Sequence, residues 1–476
     1  MCSRLQIGRR FARPESKLGR MPIASVNPFS GETLRTFEAD DDARIEEKLA
    51  GAQQAFDRWR RESVTVRTDV LRAAGHILDD EREAFAALAT KEMGKTISAA
   101  RDEVAKCAVT CRYYAENAGA FLRKEPIDGD DQAVWVEPLG VVLAVMPWNF
   151  PYWQVIRFAA PALAAGNVGL LKHASNVPQC ALSLEALFRQ AGAPEGAFQA
   201  LLVGGERIER ILADPRVAAA TLTGSEAAGR SVGGAAGKHL KKSVLELGGS
   251  DPFIVLGSAD LERAVATAVK ARVVNNGQSC IAAKRFIVLD AQYEAFASRF
   301  VEAMRALKVG DPARDDTDVG PLATPAIRDE VAKQVDESVA RGARLLLGGE
   351  RPGGAGSFYP PTVLGDVPAD APAARDEVFG PVAALFRARD AEDALAIANS
   401  SPFGLGASVW TRDRNEALWF ARELEVGSVF VNDMVASDPR FPFGGVKLSG
   451  HGRELGPFGL REFVNLKTVR MKQLPR

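Results

Sequence analysis

The chain has 476 residues, of which 46% are hydrophobic and 25% charged, and its formal net charge is -1. This is a globular composition with core enough for two or three domains, and a charge near zero gives no overall attraction to nucleic acid or to an anionic membrane surface. No apolar run approaches the roughly 20 residues of a membrane span. The five cysteines (Cys2, Cys107, Cys111, Cys180 and Cys280) are sparse and odd in number, which fits a reducing cytoplasm and not a disulfide framework.

Residues 1–20 are rich in arginine and lysine, contain one acid, Glu15, and lack the apolar stretch of a signal peptide; they read as a disordered tail or as sequence ahead of a working start at Met21, with an Arg-rich transit peptide as the alternative. Asn27–Glu32 is turn chemistry between two short strand-like runs. From Asp40 to about Phe121 apolar residues recur every three or four positions, which predicts helices. Cys107 and Cys111 fall one turn apart there as core residues, and with four histidines in the whole chain and none near them no metal site is expected. Val141–Met146 is continuously apolar, as a buried parallel strand should be. Strands at 168–172, 200–203, 218–223 and 243–247 alternate with helical segments, one of them at 177–191. That rhythm predicts an α/β architecture with a mostly parallel sheet covered on both faces. It restarts at 253–256, 286–289 and 429–432, which predicts a second α/β domain. The polar/apolar alternation at 465–471 has no partner nearby in sequence and is placed with 125–141 as an exposed β arm, whose open edges invite a second subunit.

Four stretches carry possible chemistry. In Asn275–Cys280 a cysteine sits on a glycine-containing turn among small polar residues, which suits a nucleophile, although a free cysteine is also a good buried hydrophobe. Thr223–Gly229 follows a strand and opens a helix, where free N–H groups would face a phosphate, but its spacing is not G-x-G-x-x-G. Glu246 ends a strand and is followed by Gly248 and Gly249, a setting for a general base that must move. In Pro147–Pro151, Asn149 could donate to a developing oxyanion or could close a structural Asx turn.

Taken in order, Pro147–Pro151, Gly224–Gly229, Glu246–Gly249, Gly277–Cys280, Glu377–Pro381 and Phe443–Lys447 resemble the motifs of the aldehyde dehydrogenase superfamily. The resemblance runs from about Ile23 to the end and is greatest to the succinate-semialdehyde dehydrogenase branch. It implies a Rossmann-type cofactor domain (21–124 and 142–249), an α/β catalytic domain (250–440) and a β oligomerisation arm (125–141 and 455–476). Cys280 would attack an aldehyde, Asn149 and the Cys280 N–H would hold the oxyanion, and Glu246 would activate the water that hydrolyses the thioester. Glu377 matches a nicotinamide-ribose ligand, with Phe379 against the ring. Trp148 and Lys172 match the adenosine side and Ser225 the pyrophosphate contact, with Pro147, Gly224, Gly229 and Leu247 in the same cofactor motifs. Glu454 matches a second glutamate that relays protons.

The cofactor is expected to be NAD or NADP. Ser175 stands where the family carries a glutamate that would repel a 2′-phosphate, so NADP is tolerated, with NAD the first choice. Arg157, eight positions after Asn149, matches an arginine that holds a substrate carboxylate in that branch. A second pocket arginine of some members is Val274 here, and Arg440 is the candidate to replace its charge. The expected activity is NAD(P)-dependent oxidation of succinate semialdehyde to succinate by a cytoplasmic homodimer or tetramer. The alternatives are another aldehyde (glutarate semialdehyde, or an aromatic or aliphatic one, with Trp153, Phe441 and Phe443 as an apolar lining) and a non-catalytic binding protein on the same fold.

Overall fold

The computed structural model describes residues 23–127 and 132–471; the expected tail at 1–20 and the last residues of the expected arm, 472–476, lie outside the described residues. Two sheets organise the chain. The first has six strands in the order Gly450–His451, Lys242–Glu246, Val217–Thr223, Val141–Met146, Val168–His173 and Phe198–Ala200. All neighbours are parallel except the edge strand Gly450–His451. Val141–Met146 is buried along almost its whole length, as its sequence predicts for a strand covered on both faces. Leu201–Val203, expected to continue the last strand, does not. Leu202 instead donates to Asp40 Oδ2 (2.9 Å) and accepts from Asp40 N–H (2.8 Å), so this stretch is tied to the start of the first helix.

The helical region resolves into Asp42–Trp59, Val64–Asp80, Arg82–Met93 and Ile97–Phe121. Asp41, Ser63 and Thr96 cap three of them by accepting from the N–H three residues on, which fixes where each begins. The free cysteines Cys107 and Cys111 are buried in this layer, and Cys180, on the helix Pro178–Gln190, is buried in the same core.

The second sheet has seven strands in the order Arg344–Leu347, Thr362–Gly365, Val382–Ala388, Ala283–Leu289, Asp251–Val255, Gly406–Trp410 and Ser428–Val431, parallel except at the Arg344–Leu347 edge. Its core includes Phe253, stacked on Trp410 with ring centroids 5.6 Å apart. The alternating C-terminal stretch, Val464–Arg470, pairs antiparallel with Gln132–Pro138, which in turn pairs with Glu125–Pro126. This small sheet stops at Pro138, because Val141 already belongs to the six-stranded sheet. No helix among the described residues is long and apolar enough to cross a membrane.

Candidate active site

Cys280 sits at the end of a turn whose backbone runs against its own preference. Asn275, Asn276 and Gly277 all have positive φ (56°, 58° and 76°). For a residue other than glycine that conformation costs of order 1–3 kcal/mol, least for asparagine. Side-chain bonds offset the cost. Asn275 Nδ2 donates to the carbonyls of Asn149 (2.7 Å) and Gln278 (3.0 Å). Asn276 Nδ2 donates to those of Gly94 (2.8 Å) and Pro321 (3.0 Å), and its Oδ1 accepts from Gly320 N–H (2.9 Å). At about 1 kcal/mol net each, these five buried bonds are of the size needed to offset the strain. Beyond the cysteine, buried Lys284 donates to the carbonyls of Ser279 and Cys280 (both 2.9 Å) and lies 3.4 Å from Glu377. The sequence reading passed over Lys284, although a Lys284–Arg285 pair inside an otherwise apolar strand was a visible signal.

Asn149 lies across from this turn, its Nδ2 donating to Gln278 O (3.1 Å) and leaving a second N–H on the amide. The helix that follows, Trp153–Ala165, has no side-chain cap of its own. Glu103, on the helix Ile97–Phe121, supplies one from a distance. Its Oε1 accepts from the N–H groups of Tyr152 (2.8 Å) and Trp153 (2.9 Å), and its Oε2 pairs with buried Lys95. A carboxylate at a helix N-terminus is favoured by the helix dipole, and here it also orients the face that carries Arg157.

Arg157 is buried and binds inward. It pairs with Glu454, donates through Nη2 to Thr223 Oγ1 (3.2 Å), and places its guanidinium 4.7 Å from the Phe443 ring centroid. Glu454 is buried as well. Glu246 is buried nearby, and neither carboxylate oxygen has a hydrogen-bond partner. Burial, opposed by the Arg157 charge and reinforced by Glu454, pushes its carboxyl well above the ordinary range. It is held against Gly444, where a Cβ would lie 2.6 Å from Glu246 Oε1. The Cys280 thiol is pushed up to about 12 by burial, with Arg157 opposing.

Two cavities meet at the cysteine. One, of about 240 Å³, is lined by Pro147, Trp148, Asn149, Gly224, Ser225, Leu247, Glu377 and Phe379, together with Thr223 and Gly248. Trp148 and Phe379 meet edge to face there (centroids 5.7 Å apart), and Glu377 Oε1 accepts from Gly249 N–H (3.0 Å). Ser225 caps the helix Glu226–Lys238, whose N-terminus opens toward this cavity. The other cavity, of about 210 Å³, is lined by Arg157, Lys106, Trp153, Val274, Ser437 and Phe443 among others. Cys280 lines both, and no other described residue does.

Not every expected site residue reaches these cavities. Glu246 and Glu454 line neither and lie behind Arg157. Lys172, half-buried at the end of the strand Val168–His173, and exposed Ser175 lie beyond the first cavity. Gly229 faces Leu247, where a Cβ would come within 2.6 Å of its side chain, so it serves helix packing. Arg440 is not brought to the site: its side chain is 67% exposed and paired with Asp438 (2.6 Å), its neighbour two residues back. Phe441 is likewise exposed.

The aldehyde dehydrogenase family profile matches residues 14–469, and the chain belongs to the aldehyde dehydrogenase family. It is 55% identical over 454 residues to a Mycobacterium tuberculosis (strain ATCC 25618 / H37Rv) protein named succinate-semialdehyde dehydrogenase NADP(+) 1, covering 94% of this chain and 99% of that one. It is 54% identical to a probable succinate-semialdehyde dehydrogenase NADP(+) of Synechocystis sp. (strain ATCC 27184 / PCC 6803 / Kazusa), with the same coverage. Among solved structures it superposes with a TM-score of 0.92, at 37% identity and covering 94% and 99% of the two chains, on a succinic semialdehyde dehydrogenase from Streptococcus pyogenes in complex with NADP+.

Proposed function

We propose that this enzyme oxidises succinate semialdehyde to succinate with NADP+ as its preferred cofactor. The observation that carries the reading is the placement of Cys280 between two cavities, one carrying most of the expected cofactor residues and the other carrying Lys106 and Arg157. The Cys280 thiolate attacks the aldehyde carbon, and the free N–H of Asn149 with the Cys280 backbone N–H stabilises the oxyanion of the thiohemiacetal. NADP+ supplies the hydride acceptor when bound. Glu246 then takes a proton from the water that adds to the thioester carbon; the C–S bond breaks and Cys280 leaves as the thiolate that opens the next turnover, which requires Glu246 to leave its unpartnered position beside Gly444. Glu454, paired with Arg157, stands behind Glu246 as the outlet for its proton.

The residues of the first cavity suit a dinucleotide. Ser225 and the helix N-terminus take the pyrophosphate, Glu377 the nicotinamide ribose, and Trp148 and Phe379 the rings. Ser175, with Lys172 three residues before it, leaves room and positive charge for a 2′-phosphate, and together with the names of the relatives this moves the cofactor choice from NAD to NADP. On this reading 21–124 and 142–249 form the cofactor-binding unit and 250–440 the catalytic one. The β arm, which exposes Trp135 and Leu466, joins subunits of a cytoplasmic homodimer or tetramer.

A second reading, oxidation of an uncharged aldehyde, is favoured by Phe150, Trp153, Val274 and Ile281 in the lining. Steady-state rates with NADP+ and NAD+ on succinate semialdehyde, butanal and benzaldehyde decide between them. A preference for the semialdehyde of about 10²-fold in kcat/KM, or ~2.7 kcal/mol of transition-state discrimination, is expected. Equal or better rates on the neutral aldehydes would end the carboxylate reading while leaving the cysteine chemistry intact.

A further inference from the structure

The substrate cavity contains a cation that the family motifs do not mark. Lys106, on the helix Ile97–Phe121, lines it together with Cys280 and Arg157. Its Nζ donates to Ser437 Oγ (2.7 Å) and lies 4.2 Å from the Trp153 ring centroid. What sets it apart is its charge balance. Arg157 is already neutralised by its pair with Glu454. Val274 offers no charge, and Arg440 is outside, paired with Asp438.

Lys106, by contrast, makes no ion pair among the described residues. The acids that face it are engaged elsewhere: Glu103 with Lys95 and the N–H groups of Tyr152 and Trp153, Asp438 with Arg440. Asp102, one turn earlier on the same helix, lines the cavity and makes no ion pair with Lys106. Lys106 is therefore the lining cation that no described acid pairs with, on a side chain whose ring and hydroxyl contacts hold it in place.

We propose that Lys106 is the residue that selects a carboxylate-bearing aldehyde, its ammonium pairing with the carboxylate while Arg157, balanced by Glu454, contributes hydrogen bonds without net charge. This rests on the semialdehyde reading above. The size of the cavity agrees: about 210 Å³ is below the ~300–1,000 Å³ typical of sites for drug-sized ligands and suits a short-chain acid. Burial, reinforced by the Arg157 charge and opposed by Cys107, Asp438 and Glu103, lowers the Lys106 ammonium to about 8. Its charge is thus present below that pH and lost above it, so selectivity for the charged substrate should weaken as pH rises through about 8.

The test compares wild type, Lys106→Met and Lys106→Arg in kcat/KM for succinate semialdehyde and for butanal, which lacks the carboxylate. Lys106→Met should lower the value for succinate semialdehyde by about 10²-fold, mainly through KM, and leave butanal within about threefold; Lys106→Arg should restore most of the loss. In wild type the ratio of the two kcat/KM values should fall above about pH 8, and in Lys106→Met it should be flat. The ratio cancels the titration of Cys280, which both substrates share. A wild-type enzyme with no preference overturns the substrate reading and this one with it. A wild-type preference that survives in Lys106→Met, or an equal loss on both aldehydes there, overturns the role of Lys106 alone.

Discussion

The turn that carries Cys280 and the strand end that carries Glu246 both feel the charge of Arg157, yet they are built in opposite ways. Around the cysteine, backbone that prefers other conformations is held by the amides of Asn275 and Asn276 and by the ammonium of Lys284. Around the glutamate, a buried carboxyl has no hydrogen bond at all. A buried polar group without a partner costs about 1–3 kcal/mol, and more when charged, so the resting position of Glu246 is poorly stabilised and favours the neutral acid. A nucleophile must meet its target at one place, whereas a base that serves only the second half-reaction must first stay clear of the substrate and the hydride path. On the proposed roles, a fixed cysteine and a loosely held glutamate divide the labour accordingly.

The largest effect expected of this division is in Glu246→Gln. Steady-state turnover should fall by about 10³-fold, while a stoichiometric burst of NADPH persists in stopped flow. Loss of the burst as well would mean that Glu246 also deprotonates Cys280, and the division would be wrong. On the cysteine side, Lys284→Met removes the ammonium that holds the carbonyls of Ser279, Cys280 and Ala282 and breaks the ion pair with Glu377. We expect kcat to drop about 10²-fold from misplacement of the thiol and the protein to lose about 3 kcal/mol in denaturant unfolding. An unchanged burst rate in that variant would show that the turn holds itself.

Much of this was legible in the sequence, because six short motifs in order mark the places where the chain must turn sharply or approach a ligand. The strand rhythm needed only local reading, whereas Asn149 and Cys280 each kept a structural alternative until the six motifs were taken together. Lys106 and Glu103 did not stand out, because their partners lie on other elements: Ser437 for Lys106 and the start of the Trp153–Ala165 helix for Glu103. A charged residue in a helical pattern reads as a solvated face until packing shows what it faces. Arg440 failed the other way. Proximity to Phe443 in sequence suggested the pocket, but Asp438 two residues back captures the guanidinium at the surface.

Two smaller effects sharpen the contrast. In the enzyme without cofactor, the Cys280 thiol, pushed up to about 12, is almost wholly protonated near neutrality. Its alkylation by iodoacetamide should rise about tenfold per pH unit from about pH 7 to about pH 10, and a plateau near pH 7 would show a thiolate already formed. Gly444→Ala would put a methyl group against Glu246 Oε1 (2.6 Å) and the Gly452 carbonyl (2.9 Å), displacing Glu246 and its own loop without touching the turn. Steady-state rates should change by roughly tenfold with the burst rate intact, and a slowed burst would show that the two regions are mechanically coupled.

The most direct measurement is mass spectrometry of Glu246→Gln quenched after mixing with succinate semialdehyde and NADP+. A succinyl thioester on the peptide containing Cys280, in proportion to the NADPH released, is the predicted result. NADPH release with no adduct, or an adduct on another residue, would contradict the assignment of Cys280 as the nucleophile of a semialdehyde oxidation completed by Glu246.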